Sequence, residues 1–510
     1  MKFNSGKHSI MNYYLGLDMG TTGVKAAIFT PEGVMAGSGL AEYTLETPSP
    51  DFVEVDPEVY WHAACSAIAE ALGKANAAPE AVRSVGVTGQ AETLIMVDAD
   101  GRPLRKAIVW LDNRAKEEAR EIEAHFGAEA LFRISGQTEM LPCWPAAKLL
   151  WLKRHEPETF VRAARCLMVE DFIVHRLTGC WATCRGLMPS TLYYDIRSGA
   201  YDAAMLEFLG VKESCFPPLF DAGECVGFTS GGPDSPLPAG AAVAAAPIDH
   251  VCGNLGSGCS GAGIVSETTG CTLAICAGFP HLVYDEERRI STYLGFTPGS
   301  YVLLPWAPTA GMLLKYFRDN FSGGLSYDEL ADEAAAVPPG CEGLTLLPHC
   351  AGAVSPVCNP DARGVAYGVT LAHKRGHWVR AIMESVAFLL RDNFDALRAI
   401  GAEITEVRAL GGAAKSALWL RIMADVLNLP VTTTVCDEAT SLGAAILAAK
   451  ARGDFPDVAE AAARMVRVKE RIEPGPNAAR YRELFEDYRR LNQLLLPTFG
   501  AGRSGENGGR

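Results

Sequence analysis

A polar, glycine-rich turn near the start of the chain carries side chains well suited to chemistry. In "YYLGLDMGTTGVKAAIFTPEGV" two apolar runs of alternating pattern flank this turn, which predicts a β-hairpin. The turn and its approach contain Asp18, Gly20, Thr21, Thr22 and Gly23. Glycine lets main-chain N–H groups approach a ligand closely, threonine adds hydroxyl donors, and aspartate can hold a hydrated cation. The pattern therefore predicts a phosphate and magnesium site, unless the glycines serve only a tight turn.

The same arrangement returns in the second half of the chain. In "GIVSETTGCTLAICAG" two apolar runs flank Thr268, Thr269 and Gly270. Two such hairpins indicate two domains built on one plan, although the stretches differ too much to count as a sequence repeat.

Asp249 is the best candidate for a catalytic carboxylate. It follows the Ala- and Pro-rich strand pattern "AAVAAAPIDH" and precedes the glycine-containing helix start "VCGNLGSG". A carboxylate at the end of a strand, facing a cleft, can accept a proton from a hydroxyl group. The alternative is that Asp249 caps the helix that follows it.

Two further stretches could contact a ligand. In "GQAETL", Gln90 and Glu92 could bind a polyhydroxylated molecule, or could belong to a solvated loop. In "VRALGG" a strand pattern ends in Gly411 and Gly412, where a flat ring could lie on the backbone or where strand and helix could pack closely. The Lys-Ser pair that follows does not complete a Walker A loop, because alanines replace both required glycines.

The elements that position these residues belong to a large globular chain. Its 510 residues exceed what one core supports, so at least two domains are expected. A helix is predicted from Pro57, with Asp56 as its cap. The Gly-, Pro- and Ala-rich stretch at residues 229–258 is the best candidate for a domain crossing. The formal net charge of -14 argues against nucleic acid as a main partner.

The cysteines and the termini indicate a compartment. The 15 cysteines are scattered and form no C-x-x-C pair, which favours a reducing cytosol over a zinc or iron–sulfur protein. Neither a signal-peptide core nor an apolar run of membrane-spanning length is evident. We therefore expect a cytoplasmic protein with no membrane partner and with disordered tails at residues 1–11 and 499–510.

Taken in order along the chain, these motifs resemble those of the FGGY carbohydrate kinases, the group that contains xylulokinase and glycerol kinase. The resemblance extends over nearly the whole chain, at residues 13–496. Its motifs are "GLDMGTTGVKAAIF", "GVTGQAETL", "AIVWLDNRA", "PAAKLLWLKRHEPE", "IDHVCGNLGSG", "ETTGCT", "ARGVAYGVT", "LGGAAKSALWLRIMADVLNLPV" and "EATSLGAAILAA".

The resemblance implies an α/β fold of two domains, the actin-like, ribonuclease-H-like ATPase fold, with a nucleotide and sugar cleft between the domains. Residues 12–259 would form the N-terminal domain, with sugar binding and the first phosphate loop. Residues 260–498 would form the C-terminal domain, with nucleotide binding.

The resemblance also implies roles for single residues. Asp249 matches the catalytic base, and Asp18 matches the aspartate near magnesium. The positions that match the ATP-binding loops are Asp18, Gly20, Thr21, Thr22, Thr269, Gly270, Gly411, Gly412 and Ala413. The positions that match the acceptor site are Gln90, Ala91, Glu92, Asp249 and His250. Lys148 and Trp151 fall in a family signature, where packing is their expected role.

The function implied is an ATP- and magnesium-dependent kinase for a hydroxyl of a small ketose or polyol, such as a xylulose-like pentulose or a sugar alcohol. A non-catalytic actin-like ATPase or a sugar-responsive regulator is the alternative, and a homodimer is possible. The acceptor pocket departs from both well-known specificities. Xylulokinases carry Met-His, and glycerol kinases Arg-Glu, where this chain has Ala91-Glu92. Cys143 and His250 also replace residues usual in those enzymes.

Overall fold

A computed structural model describes residues 12–261 and 263–500, which form two compact units. Unit 1 contains residues 12–260, 293–300 and 438–467, and unit 2 contains the remaining described residues. Of the predicted tails, residues 1–11 and 501–510 lie outside the described residues. The assignment of sugar binding to residues 12–259 and of nucleotide binding to residues 260–498 stays a prediction.

The strands are β1 (Tyr13–Met19), β2 (Gly23–Phe29), β3 (Met35–Glu42), β4 (Glu46–Ser49), β5 (Phe52–Val55), β6 (Val82–Gly89), β7 (Ile95–Val97), β8 (Ala107–Ile108), β9 (Arg165–Leu167), β10 (Thr183–Cys184), β11 (Tyr194–Asp195), β12 (Ala200–Tyr201), β13 (Leu219–Phe220), β14 (Cys225–Phe228), β15 (Ala242–Ala245), β16 (Ile264–Thr269), β17 (Leu273–Phe279), β18 (Ser291–Leu294), β19 (Tyr301–Leu304), β20 (Trp306–Ala307), β21 (Thr345–Leu347), β22 (Val365–Tyr367), β23 (Glu406–Gly411), β24 (Val431–Thr434) and β25 (Val468–Ile472).

The α-helices are α1 (Pro57–Ala75), α2 (Lys116–Phe126), α3 (Ala128–Ser135), α4 (Pro145–His155), α5 (Pro157–Arg162), α6 (Val169–Thr178), α7 (Ala203–Leu209), α8 (Asp249–Gly256), α9 (Gly311–Phe321), α10 (Tyr327–Ala335), α11 (Arg375–Ala399), α12 (Ala417–Leu427), α13 (Ala439–Arg452), α14 (Val458–Met465) and α15 (Ala478–Leu495).

Unit 1 is built on a six-stranded mixed sheet with the strand order β14-β15-β6-β1-β2-β3. β6 runs parallel to both β1 and β15, whereas β1 and β2 are antiparallel. The hairpin predicted from the first Thr/Gly turn is therefore confirmed. We call β1–β2 the first hairpin; its register places Asp18 opposite Lys25.

The helix α13 lies directly on this sheet, and the central strands carry glycine where it crosses them. A Cβ atom at Gly16 would lie 1.8 Å from the carbonyl oxygen of Ser441, and one at Gly86 would lie 2.0 Å from that of Ala444. Such distances exclude any side chain at these two positions. The helix α13, from the C-terminal part of the sequence, is therefore a layer of unit 1.

Unit 2 contains a second mixed sheet, in which β19, β17, β16, β23, β24 and β25 are neighbours in that order. β16 runs parallel to β23 and antiparallel to β17, which confirms the second predicted hairpin. We call β16–β17 the second hairpin. Apolar side chains of the sheet pack with those of α11, α12 and α15 into one core cluster.

The predicted helix start at Pro57 is also confirmed. The Asp56 carboxylate accepts a hydrogen bond of 3.0 Å from the main-chain N–H of Glu58, and Pro57 occupies the first turn. The helix ends at Asn76, which adopts a left-handed conformation. Within the described residues no helix is both long and apolar enough to cross a membrane.

Candidate active site

The turn of the first hairpin is held by side chains from three other segments. The Gly20 carbonyl oxygen accepts hydrogen bonds from the Tyr43 hydroxyl and, at 3.2 Å, from Nε2 of Gln90. Nε1 of Trp110 donates to Oγ1 of Thr21 at 2.9 Å. Trp110 was not singled out in the sequence, although it lies in the motif "AIVWLDNRA".

Asp18 stands at the base of this turn with one oxygen unused. Its Oδ1 is buried and has no hydrogen-bond partner among the described residues. Burial, followed by the neighbouring Asp249 carboxylate, raises the pKa of Asp18 to about 7, while Lys25 opposes this shift. A buried carboxylate oxygen without a donor is an available ligand for a hydrated cation.

Lys25 and Glu438 complete the charged surroundings of Asp18. The Lys25 ammonium lies 2.9 Å from Oε2 of Glu438, and Glu438 itself raises the pKa of Asp18. Neither residue was identified from the sequence. The register of the first hairpin places Lys25 directly across from Asp18, but no local signal brings residue 438 to the first hairpin.

Asp249 is the first residue of α8 and is about one-third exposed. Its Oδ1 accepts a hydrogen bond of 2.6 Å from the main-chain N–H of His250 and lies 4.0 Å from Nε2 of that residue. The preceding turn is fixed by a 2.6 Å bond from the Thr88 hydroxyl to the Pro247 carbonyl oxygen. Ile248 occupies the N-cap position, so the carboxylate of Asp249 is not placed as an ordinary helix cap.

Glu92 lies in unit 1 near Asp249, in a constrained backbone conformation. Its φ angle is 65°, which is unusual for a residue other than glycine. The Ser190 hydroxyl donates to its Oε1. Burial raises the pKa of Glu92 to about 7; the Ser190 bond and the Lys148 charge lower it, and Asp249 adds to the rise.

Gln90 is engaged within the protein on both sides of its amide. It is 5% exposed; besides the bond to Gly20, its Nε2 donates to the Tyr60 hydroxyl at 3.3 Å, and its Oε1 accepts from Thr93 at 3.3 Å. The solvated loop considered for Gln90 is therefore wrong. A contact of Gln90 with the acceptor stays a prediction, as does one by Ala91, which is buried beside it.

The second hairpin carries its own buried acid. The Thr269 hydroxyl donates to Oε2 of Glu267 at 2.6 Å, and both side chains are almost fully buried. Burial raises the pKa of Glu267 to about 8, while the bond from Thr269 lowers it. Glu267 was not singled out in the sequence. The signal that could have identified it is an acidic residue within an otherwise apolar strand pattern.

The glycines of unit 2 pack tightly around the turn of the second hairpin. Gly411 pairs with Thr269 across the sheet, has a φ angle of 79°, and could not carry a Cβ atom, which would lie 2.7 Å from the Thr269 carbonyl oxygen. A Cβ atom at Gly311, the first residue of α9, would lie 2.4 Å from the Gly270 carbonyl oxygen. Close packing therefore accounts for Gly411, but the packing is between strands β23 and β16, whereas the alternative drawn from the sequence was packing between strand and helix.

The residues after Gly411 form a short turn. Gly412 precedes a 3-10 helix at Ala413–Lys415, whose first residue is buried. A Cβ atom at Gly412 would have only one contact, at 3.9 Å. Thr269, Gly270, Gly411, Gly412 and Ala413 are thus neighbours within unit 2, as expected of parts of one ligand site.

Two family models cover most of the chain. Residues 13–256 match the N-terminal domain, and residues 279–452 the C-terminal domain, of the FGGY family of carbohydrate kinases.

The chain belongs to the FGGY family of carbohydrate kinases.

Similar proteins within the family have different specificities. Xylulose kinase of Bacillus subtilis (strain 168) is 28% identical over 497 residues, covering 94% of this chain and 97% of that protein. Glycerol kinase of Thermococcus kodakarensis is 31% identical over 458 residues, covering 88% and 90%, respectively. The crystal structure of xylulose kinase from Rhodospirillum rubrum superposes with a TM-score of 0.86 at 28% identity, covering 96% of this chain and all of that chain.

Family membership confirms the predicted two-domain α/β fold of the actin-like ATPase type. It also confirms the predicted enzyme class, an ATP-dependent carbohydrate kinase. The relatives do not agree on one acceptor, so the acceptor of this chain has to be inferred from its own residues.

Proposed function

We propose that this FGGY kinase transfers the γ-phosphoryl group of ATP to a hydroxyl of a small, uncharged ketose or polyol, with Asp249 as general base. The observation that carries the proposal is the position of the Asp249 carboxylate. It is accessible at the start of α8, shortly after β15, and it is close enough to Asp18 and Glu92 to raise the pKa of both.

The charges around Glu92 favour an uncharged acceptor. Asp249 lies nearby, and the ammonium of Lys148, which also acts on Glu92, is occupied by main-chain carbonyls. A carboxylate on the acceptor would therefore meet the like charges of Glu92 and Asp249 at short range, whereas His250 acts on Glu92 in the opposite sense. Neighbouring hydroxyls, by contrast, can donate to Glu92 and Asp249. These features support a ketose or polyol rather than a sugar acid.

Asp18 fits the magnesium ion that ATP brings to the reaction. Its buried, unpartnered Oδ1 offers the single carboxylate contact that Mg²⁺ commonly makes beside water and phosphate oxygens. In the described part of the chain no group of three or more acidic, histidine or cysteine side chains forms a ready metal cage. When bound, the ion would neutralise phosphate charge.

Each half of the reaction then has its own residues. Within unit 1, main-chain N–H groups at the turn containing Gly20 would hold phosphate oxygens, with the Thr21 hydroxyl beside them. The phosphate-loop role of the turn containing Gly270 in unit 2 stays a prediction. The acceptor oxygen attacks the γ-phosphorus, and the bond to the ADP oxygen breaks. The acceptor proton passes to the Asp249 carboxylate, leaving a phosphate ester, ADP and a protonated Asp249 that releases its proton to water.

The test combines an acceptor panel with Asp249→Asn. ADP formation is measured with D-xylulose, D-ribulose, D-fructose, erythritol, ribitol, xylitol, glycerol and D-gluconate. We expect a ketose or a longer polyol to give the highest kcat/KM and D-gluconate to be inactive. Asp249→Asn should lower kcat by about 10²–10⁴-fold while nucleotide binding, followed by calorimetry, is retained.

Two outcomes would contradict the proposal. Wild-type turnover in Asp249→Asn would exclude the general base, and D-gluconate as the preferred acceptor would exclude the electrostatic argument. ADP formation that no acceptor stimulates would instead favour a non-catalytic ATPase or regulator. A cytoplasmic location and a homodimer stay predictions.

A further inference from the structure

Lys148 is a buried cation whose hydrogen bonds all go to uncharged groups. It lies on α4 with 0% exposure. Its ammonium donates to three main-chain carbonyl oxygens, those of Glu92 at 2.8 Å, Val109 at 3.0 Å and Ile108 at 3.4 Å. Burial lowers its pKa to about 8. Burying an ammonium is costly. Because all three N–H donors of Lys148 are used, the groups that accept them indicate the role of this lysine.

The three carbonyls belong to two segments that are separate in sequence. One is the loop that carries Glu92, whose φ angle of 65° is a strained conformation that the surroundings must maintain. The other ends β8 and leads directly to Trp110, whose indole N–H reaches the Thr21 hydroxyl of the first hairpin. These two segments are neighbours within unit 1, because Leu94 and Ile108 exchange main-chain hydrogen bonds of 3.0 Å and the main-chain N–H of Trp110 donates to Oγ1 of Thr93 at 3.1 Å. The ammonium adds a tie at Glu92 itself.

We propose that Lys148 is a positioning residue that fixes the Glu92 carboxylate for the acceptor and, through the Trp110 segment, holds the acceptor loop in register with the first phosphate turn. The inference rests on the proposed function, because that function assigns the acceptor to Glu92 and phosphate to the turn at Thr21. It adds a role for a lysine that touches neither ligand.

The ammonium also acts on Glu92 electrostatically. Its charge lowers the pKa of Glu92, against the effect of burial. Removing the charge should therefore move the ionisation of Glu92 to higher pH. The titratable groups that face Glu92 from the surrounding elements are Cys143, Lys148, Glu170, Asp249 and His250.

The first experiment compares Lys148→Met with Lys153→Met. Methionine fills the same volume without donors, and Lys153 is an exposed lysine of the same helix. Amide hydrogen exchange of the unliganded proteins should become faster in Lys148→Met at residues 90–94 and at residues 107–112, and at neither in Lys153→Met. Unchanged exchange at both segments would overturn the proposal whether or not an acceptor has been found.

The second experiment measures kinetics with the panel member that has the highest kcat/KM. Lys148→Met should raise the KM for that acceptor by about 10- to 100-fold, the size expected when hydrogen bonds to a charged group are lost. The KM for ATP should change much less. Lys148→Gln, which keeps an amide donor, should recover part of the loss, and Lys153→Met should behave as wild type.

Two further readouts separate positioning from mere stability. The acidic limb of the pH profile of kcat/KM should move to higher pH in Lys148→Met, because Glu92 has lost a neighbouring positive charge. The effects of Lys148→Met and Trp110→Phe on kcat/KM for the acceptor should be less than additive, because both interrupt one chain of contacts. A wild-type acceptor KM with an unshifted profile would overturn the role of Lys148, while an inactive wild type on the whole panel would count against the proposed function instead.

Discussion

The two Thr/Gly hairpins have similar turns and differ in what holds them. In the first hairpin the turn is bound from outside, by the side chains of Tyr43, Gln90 and Trp110. In the second hairpin the Thr269 hydroxyl bonds Glu267 of its own strand, and the Cys271 carbonyl oxygen accepts hydrogen bonds from the main-chain N–H groups of Ala310 and Met312. Glycines of neighbouring elements also press against this turn. A turn held by distant side chains loses its support when those side chains are substituted, whereas hydrogen bonds between main-chain groups are kept.

The acids of the two hairpins also face different surroundings. Asp18 lies on the face of β1 that carries Gly16, beside Lys25, Asp249 and Glu438. Glu267 lies on the face of β16 that carries Val265, in the apolar core of unit 2. Both pKa values are raised by burial, but Asp18 has charged neighbours that a cation can join. This difference teaches that turn chemistry alone does not identify the acid that serves magnesium.

The largest expected effect separates these two acids. Asp18→Asn should lower magnesium-dependent kcat by about 10²-fold or more, as for other losses of transition-state charge stabilisation, because the amide is a weaker ligand. Glu267→Gln should leave kcat within a few-fold of wild type. Turnover is measured across a magnesium titration, with acceptor binding followed by calorimetry as the control. A strong magnesium defect in Glu267→Gln, or none in Asp18→Asn, would reverse the comparison.

An intermediate effect is expected where glycine packs against the second hairpin. Gly411→Ala adds a Cβ atom that would lie 2.7 Å from the Thr269 carbonyl oxygen at a positive φ angle, so the strand or the turn must move. We expect a loss of about 1–3 kcal/mol in the free energy of unfolding together with a higher KM for ATP.

Gly401→Ala is the matched control, because Gly401 lies in the same unit, has a φ angle of 103° and would place its Cβ atom in open space. Gly401→Ala should lower the free energy of unfolding through its positive φ angle, but it should not change the KM for ATP. Equal KM values for ATP in the two variants would show that contact with the second hairpin is unimportant.

The smallest effect on turnover, and a distinct effect on stability, belongs to Glu267. Burial raises the pKa of Glu267 from its ordinary value of 4.5 to about 8. Between these two pH values the folded protein retains a proton on Glu267 that the unfolded chain has lost. Stability should therefore fall as the pH rises through this interval. Glu267→Gln cannot titrate and should flatten this decline, measured as the urea midpoint at several pH values. An unchanged slope would mean that Glu267 is not held neutral by the fold.

Sequence reasoning was strongest where the signal is local. The two hairpins follow from apolar alternation around Thr/Gly turns, and the start of α1 follows from an aspartate cap before Pro57. Ordered motifs also sufficed for the family, because each keeps its residue types at fixed spacing. Sequence reasoning was weaker for Gln90, whose loop is buried rather than solvated. Nothing near this residue in sequence announces Tyr43 or Tyr60.

The sequence by itself determined the hairpins, the family and the candidate base Asp249, since these depend on neighbours within a few positions. Only the tertiary structure decided that the free, buried oxygen of Asp18 has charged neighbours whereas that of Glu267 lies in an apolar core. It also decided that Glu438 reaches Lys25 and that Lys148 binds main-chain carbonyls. The physical reason is that burial and long-range contacts set the cost of an unpaired charge. They arise only when strands and helices far apart in sequence close on one core.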